Sequence, residues 1–248
     1  MKRRALLSLM TGGAATGLAA AGGTLTFRLH KDPRQKPFLT DDHLEGVSVR
    51  SNEAHRILFV GNSIVLNHDV PARITALAEQ EGVQLNTATA AANGARLIET
   101  IRLESLNHIL QPGLWDVVVL QDFTKTPLRA FDRWGSRYAM KQISRSVGTI
   151  PVLLFPPWPA AETNHVYQDP GFMVQAPADP EDYAARSMAF YTSIAQDHGF
   201  HVAPVPLAWL KATRDGAPLY HRDTLHASEA GADFAAGQLW AALKPLLP

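Results

Sequence analysis

The chain has 248 residues, no cysteine, and 23 basic against 23 acidic side chains, a formal net charge of zero. Its length suits one α/β domain with a full hydrophobic core. Balanced charge offers no field for a phosphate backbone, so nucleic acid is not an expected partner, and the lack of cysteine excludes disulfides, thiolate metal sites and a cysteine nucleophile.

In chain order, Lys2, Arg3 and Arg4 precede a mildly apolar run from Ala5 to Leu29 that is rich in Gly and Ala. That layout is expected of an export signal over residues 1–29, of twin-arginine-like or Sec type. An uncleaved N-terminal anchor is the alternative, and the expected location is the periplasm either way. Residues 30–53 are polar and proline-punctuated and are read as a linker. The folded domain is expected to span residues 54–248.

Ile57 to Val60 reads as a short buried strand that stops at Gly61, followed by Asn62 and Ser63. Asn67 to Gly82 has helical spacing with Pro71 in its first turn, Val83 to Ala90 reads as a second strand, and Leu97 to Leu110 as a helix. Asp116 to Gln121 is a third strand, Arg133 to Val147 a helix, and Ile150 to Phe155 a fourth strand ending at Pro156-Pro157. Ala160 to Asp182 lacks any period, which in a compact domain suggests a lid or binding loop. Glu181 to His198 is helical, Phe200 to Ala203 a fifth strand, Leu207 to Lys211 one helical turn, and Ala227 to Leu246 a closing helix. Strands alternating with helices predict a single-domain, three-layer α/β/α fold around a mostly parallel five-stranded sheet.

A serine just past the carboxyl end of a central strand sits where open α/β sheets bind ligands, and becomes a nucleophile if a base reaches it. Asp223 and His226 lie three residues apart, directly before the last helix. A carboxylate so placed can orient one imidazole nitrogen and leave the other to take a serine proton. Two other readings of these residues stand beside this one. Ser63 and Asp223 are also ordinary turn and cap residues, and His221, Asp223 and His226 are a conceivable metal set.

Gly61-Asn62-Ser63 with the distant Asp223-x-x-His226, and with Gly94 and Gln121 between them, resembles the SGNH, or GDSL-type, hydrolase superfamily in an uncharacterised bacterial branch. The resemblance runs from Ile57 to Trp240 and implies a flavodoxin-like sheet. It implies Ser63 as nucleophile, His226 as general base and then acid, and Asp223 as its orienting partner. The amides of Ser63 and Gly94 would be oxyanion donors, with Gln121 standing where that family usually has Asn. No cofactor or metal is implied.

Asn62, Asp122 and Trp158 lie at the same expected sheet edge and are taken as substrate contacts, with Trp158 as a wall able to stack on a sugar. The expected activity is hydrolysis of a short acyl ester, a carbohydrate O-acetyl group foremost, on a small-molecule or glycan substrate. Membrane association would come only through the N-terminal segment. Two alternatives share the same residues: an O-acyltransferase acting on envelope glycans, and a glycan-binding module without catalysis.

Overall fold

The computed structural model describes residues 54–102, 106, 109–168 and 175–248. The expected signal, linker and lid tip thus fall wholly or partly outside the described residues. Five parallel strands form one sheet in the order β2-β1-β3-β4-β5: β1 (His55–Gly61), β2 (Leu85–Ala91), β3 (Val117–Leu120), β4 (Val152–Leu154) and β5 (His201–Val202). Strand order reverses between β1 and β3, and that switch point opens a crevice at the carboxyl ends of these two strands.

Side-chain alternation sends the strands into two cores. Ile57, Phe59, Val117, Val119 and Leu153 face α2 (Val70–Gln80), α6 (Val205–Arg214) and α7 (Glu229–Leu243). Leu58, Val60, Val118, Leu120 and Leu154 face α4 (Ala130–Val147) and α5 (Pro180–His198). Continuous apolar runs in the central strands follow from this two-sided burial. Among the described residues, no helix is long and apolar enough to cross a membrane.

Local chemistry sets the ends of the elements. Asn62 caps the short α1 (Ser63–Leu66), its side chain accepting from the Ile64 amide. His68 and Asp69 both adopt positive φ, and Asp69 caps α2, so the helix expected over Asn67–Gly82 begins at Val70 and is set off by a sharp turn from α1, which was not expected. The short α3 (Leu97–Thr100) covers only the start of the expected Leu97–Leu110 helix; residues 103–105 and 107–108 lie outside the described residues. The expected single turn at Leu207 is a ten-residue α6, because Pro206 sits in its first turn where no amide is needed. Ser228 caps α7, accepting from the Gly231 amide and donating to the Pro218 carbonyl.

Gly231 shows how tightly α7 is seated. A Cβ there would lie 2.1 Å from the Leu219 carbonyl oxygen and 2.8 Å from the Trp209 ring, so the helix meets the preceding loop with no room for a methyl group. Gly237, on the same helix, has open space. Gly231→Ala is therefore expected to cost about 2 kcal/mol or more through overpacking, read as a lower urea midpoint. Gly237→Ala should leave stability unchanged or raise it by up to about 1 kcal/mol through helix propensity, read as an equal or higher urea midpoint. Equal behaviour of the two variants would contradict this packing.

Candidate active site

The turn after β1 is built for close approach. A Cβ on Gly61 would lie 2.7 Å from Val65 Cγ2 and 2.8 Å from Gln121 Oε1, so α1 and the end of β3 crowd this position. Asn62 is buried and both polar atoms of its side chain are engaged: Oδ1 accepts from the Ile64 amide at 3.1 Å, and Nδ2 donates to the Ala95 carbonyl at 3.0 Å. Its own backbone amide donates to Gln121 Oε1 at 2.9 Å. Ser63 is thereby held as the first residue of α1, where a backbone N–H has no partner within the helix. Among the described residues, neither the Ser63 nor the Gly94 amide donates to a protein acceptor. Gly94 lies in the left-handed region at φ 71°, in the turn that Asn62 ties down through Ala95.

Opposite Ser63, the chain before α7 folds back on itself. Tyr220 and Ala227 form an antiparallel bridge, and the His221 amide donates to the His226 carbonyl at 2.8 Å. Within this loop, Asp223 Oδ1 accepts from the amides of Leu225 (3.1 Å) and His226 (2.9 Å), while Oδ2 lies 2.5 Å from His226 Nδ1. His226 Nε2 lies 3.1 Å from Ser63 Oγ. Serine, histidine and aspartate thus form one hydrogen-bonded relay, with the imidazole oriented by the carboxylate and facing the hydroxyl. Partial burial pushes the Asp223 carboxyl up. Hydrogen bonds from the His226 imidazole and from the His226 and Leu225 amides outweigh it and hold the carboxyl down to about 2.

The relay opens onto a pocket of about 460 Å³, lined beside Ser63, Gly94 and His226 by Asn67, Asn93, Phe123, Thr124, Lys125, Ala160, Asn164, Val166, Tyr183 and Leu225. Ala160, Val166 and Tyr183 belong, with Leu128, to one small apolar cluster, and Leu225 packs against it. Tyr183 is buried there and its hydroxyl donates to the Thr124 carbonyl at 2.7 Å. The short 3₁₀ turn His165–Tyr167 brings the long Ala160–Asp182 segment to the pocket, as expected of a binding loop.

Three expected contacts are corrected by this geometry. Gln121 is 1 % exposed and does not line the pocket; its Oε1 accepts from the Asn62 amide and its Nε2 donates to the Asp122 carbonyl, so it braces the Ser63 turn from within. Asp122 is buried and does not line the pocket, accepting from the Leu97 amide (2.9 Å) at the start of α3 and from the amide of its neighbour Phe123 (2.7 Å). Burial raises its carboxyl pKa against the pull of those bonds. Trp158 is 1 % exposed and stacks on Trp209 at 4.3 Å, with Nε1 donating to the Leu225 carbonyl. It supports the histidine loop from the core side and is not a pocket wall. Asn62 does line the pocket, with Oδ1 capping α1 and Nδ2 donating to the Ala95 carbonyl.

His221 Nδ1 stands 3.7 Å from Asp223 Oδ1, and among the described residues no group of three potential metal ligands gathers anywhere. Asn67, Asn93 and Asn164 line the pocket without having been singled out in the sequence. An isolated Asn in a loop carries no spacing signal; only the fold brings the three together.

Neither a protein-family model nor a curated protein matches the chain. Solved structures do. A candidate SGNH hydrolase from Slackia heliotrinireducens superposes with a TM-score of 0.62 at 24% identity, covering 77% of this chain and 99% of its own. The chain has the SGNH-hydrolase fold. The same fold is shared with an acetylxylan esterase from Geobacillus stearothermophilus (TM-score 0.55, 15% identity, 76% of this chain and 94% of that one). It is also shared with a psychrotrophic esterase from Pseudoalteromonas, whose structure is of a form inhibited by monoethylphosphonate (TM-score 0.55, 13% identity, 77% and 97%).

The Asp223 environment predicts a pH dependence. A carboxyl held below its unfolded value contributes stability that is present above the ordinary carboxylate range, and this is lost as pH falls through the folded value, here from about 4 toward about 2. Asp223→Asn should therefore melt below the parent protein near neutrality, and the gap should close over that acid window. A gap that stays constant down to about pH 2 would contradict the assignment.

Proposed function

We propose that this chain is an exported serine esterase that cleaves carboxylic esters through an acyl-enzyme on Ser63. The observation that carries the reading is the relay itself: Ser63 Oγ, His226 and Asp223 within hydrogen-bond reach, beside an apolar pocket at the sheet's switch point.

In this reading the substrate's acyl group enters the pocket against Val166, Tyr183 and Leu225. His226 Nε2 takes the Ser63 proton as Oγ attacks the carbonyl carbon. Negative charge gathers on the carbonyl oxygen, where the Ser63 and Gly94 amides are the available donors; one such donor is worth about 3 kcal/mol in the transition state. The protonated His226, steadied by the Asp223 carboxylate, then returns its proton to the departing alkoxide. Water repeats the sequence on the acyl-enzyme and releases the acid. No cofactor enters any step.

The substrate assigned is a short acyl ester, with a carbohydrate O-acetyl group as the first choice. Support comes from the acetylxylan esterase that shares the fold and from the pocket's mixture of apolar walls and amide side chains. Sugar stacking on Trp158 no longer contributes, since that ring is buried. Export rests on Lys2-Arg3-Arg4 and the apolar run behind them.

Ser63→Ala should lower the turnover of p-nitrophenyl acetate by roughly 10⁴-fold or more while the melting temperature holds, because a triad acts as a unit. Retained turnover in a folded Ser63→Ala protein would remove the mechanism.

A further inference from the structure

Asn164 is 4 % exposed in the wall of the pocket and has every polar atom engaged. Its Oδ1 accepts from the Val166 amide at 3.0 Å and so caps the 3₁₀ turn that forms the wall. Its Nδ2 donates to Thr224 Oγ1 at 2.8 Å and to the Asp223 carbonyl at 3.3 Å. One side chain therefore spans the substrate wall and the loop that holds the acid of the relay.

The loop needs such support. Thr224 sits at φ 60°, a left-handed conformation that a β-branched residue adopts only when its surroundings impose it. The strain falls on the peptide between Asp223 and Leu225, whose amide is one of the donors to the Asp223 carboxylate. Beyond Asn164, the Ala161 amide donates to the Thr224 carbonyl at 2.8 Å, Trp158 Nε1 to the Leu225 carbonyl, and the Tyr220 hydroxyl to the Pro159 carbonyl. The segment from Trp158 to Asn164 thus runs alongside the catalytic loop as a brace. Asn164 is the member of that brace that reaches it from the substrate's side.

We propose that Asn164 is a positioning residue: it holds the Asp223–Thr224 peptide in its left-handed conformation, and so aims the carboxylate at His226, while anchoring the wall against which the acyl group binds. This rests on the serine-esterase reading above. It predicts that loss of the Nδ2 bonds acts on turnover through Asp223, not on substrate affinity.

The test uses Asn164→Ser. A serine there still caps the turn, but it is too short to reach Thr224. The expected result is a kcat lowered roughly tenfold with KM within about twofold, since the lost bonds involve the relay and not the wall. In an Asp223→Asn background the same change should lower kcat by less than about twofold, because the two residues act through one another. Thr224→Val, close in shape but without the acceptor hydroxyl, should shift kcat in the same direction by a smaller factor.

A readout independent of turnover is the downfield proton resonance of the short His226–Asp223 hydrogen bond. It should be present in the parent protein and be lost or shifted in folded Asn164→Ser. An unchanged resonance, or kcat effects that simply multiply in the double variant, would overturn the proposal. A parent protein lacking Ser63-dependent turnover would instead remove the esterase reading, and the resonance would still decide the role of Asn164.

Discussion

A hydroxyl and an imidazole 163 positions apart in the chain meet at 3.1 Å over the carboxyl edge of the sheet, and the chemistry proposed here depends on that meeting. Neither residue is held by its own helix or strand alone. Ser63 is fixed because Gly61 lets α1 and Gln121 close on the turn, and because Asn62 bonds forward to Ile64 and across to Ala95. His226 is fixed because Gly231 lets α7 sit against Leu219, and because Asp223 gathers the loop's own amides. Two glycines without room for a side chain, one on each partner's segment, are what bring the relay within reach.

The polar groups around this contact divide into those that face the pocket and those that hold the ones that do. Gln121, Asp122 and Trp158 belong to the second kind and Asn164 to both: each is buried, and each hydrogen-bonds backbone groups of the pocket-bearing loops. A buried donor or acceptor left unmatched costs about 1–3 kcal/mol, so these bonds restrict the loops to one arrangement as well as stabilising them. The relay residues Ser63, His226 and Asp223 themselves remain partly open to solvent.

Much of this was legible in the sequence. Runs such as Ile57–Val60 and Val117–Leu120 announce buried parallel strands because both faces of the sheet are covered. Ser63, Asp223 and His226 were found because an activated serine needs those residue types at strand and helix ends. The failures share one cause. Gln121, Asp122 and Trp158 were placed at the correct edge of the sheet, but their side chains turn inward to satisfy backbone groups, and no pattern of residue types encodes that direction. Asn164 went unmarked for the same reason, since its partners lie about 60 residues away. The turn expected at Leu207–Lys211 is the ten-residue α6, with Pro206 as an N-terminal helix residue.

Activation of Ser63 by His226 is read out by phosphonylation. A fluorophosphonate probe followed by peptide mapping should place a single adduct on Ser63. The labelling rate should fall by several hundredfold or more in a folded His226→Ala protein, in line with the loss of a general base. An adduct on another residue, or Ser63 labelling that ignores the loss of His226, would contradict the account.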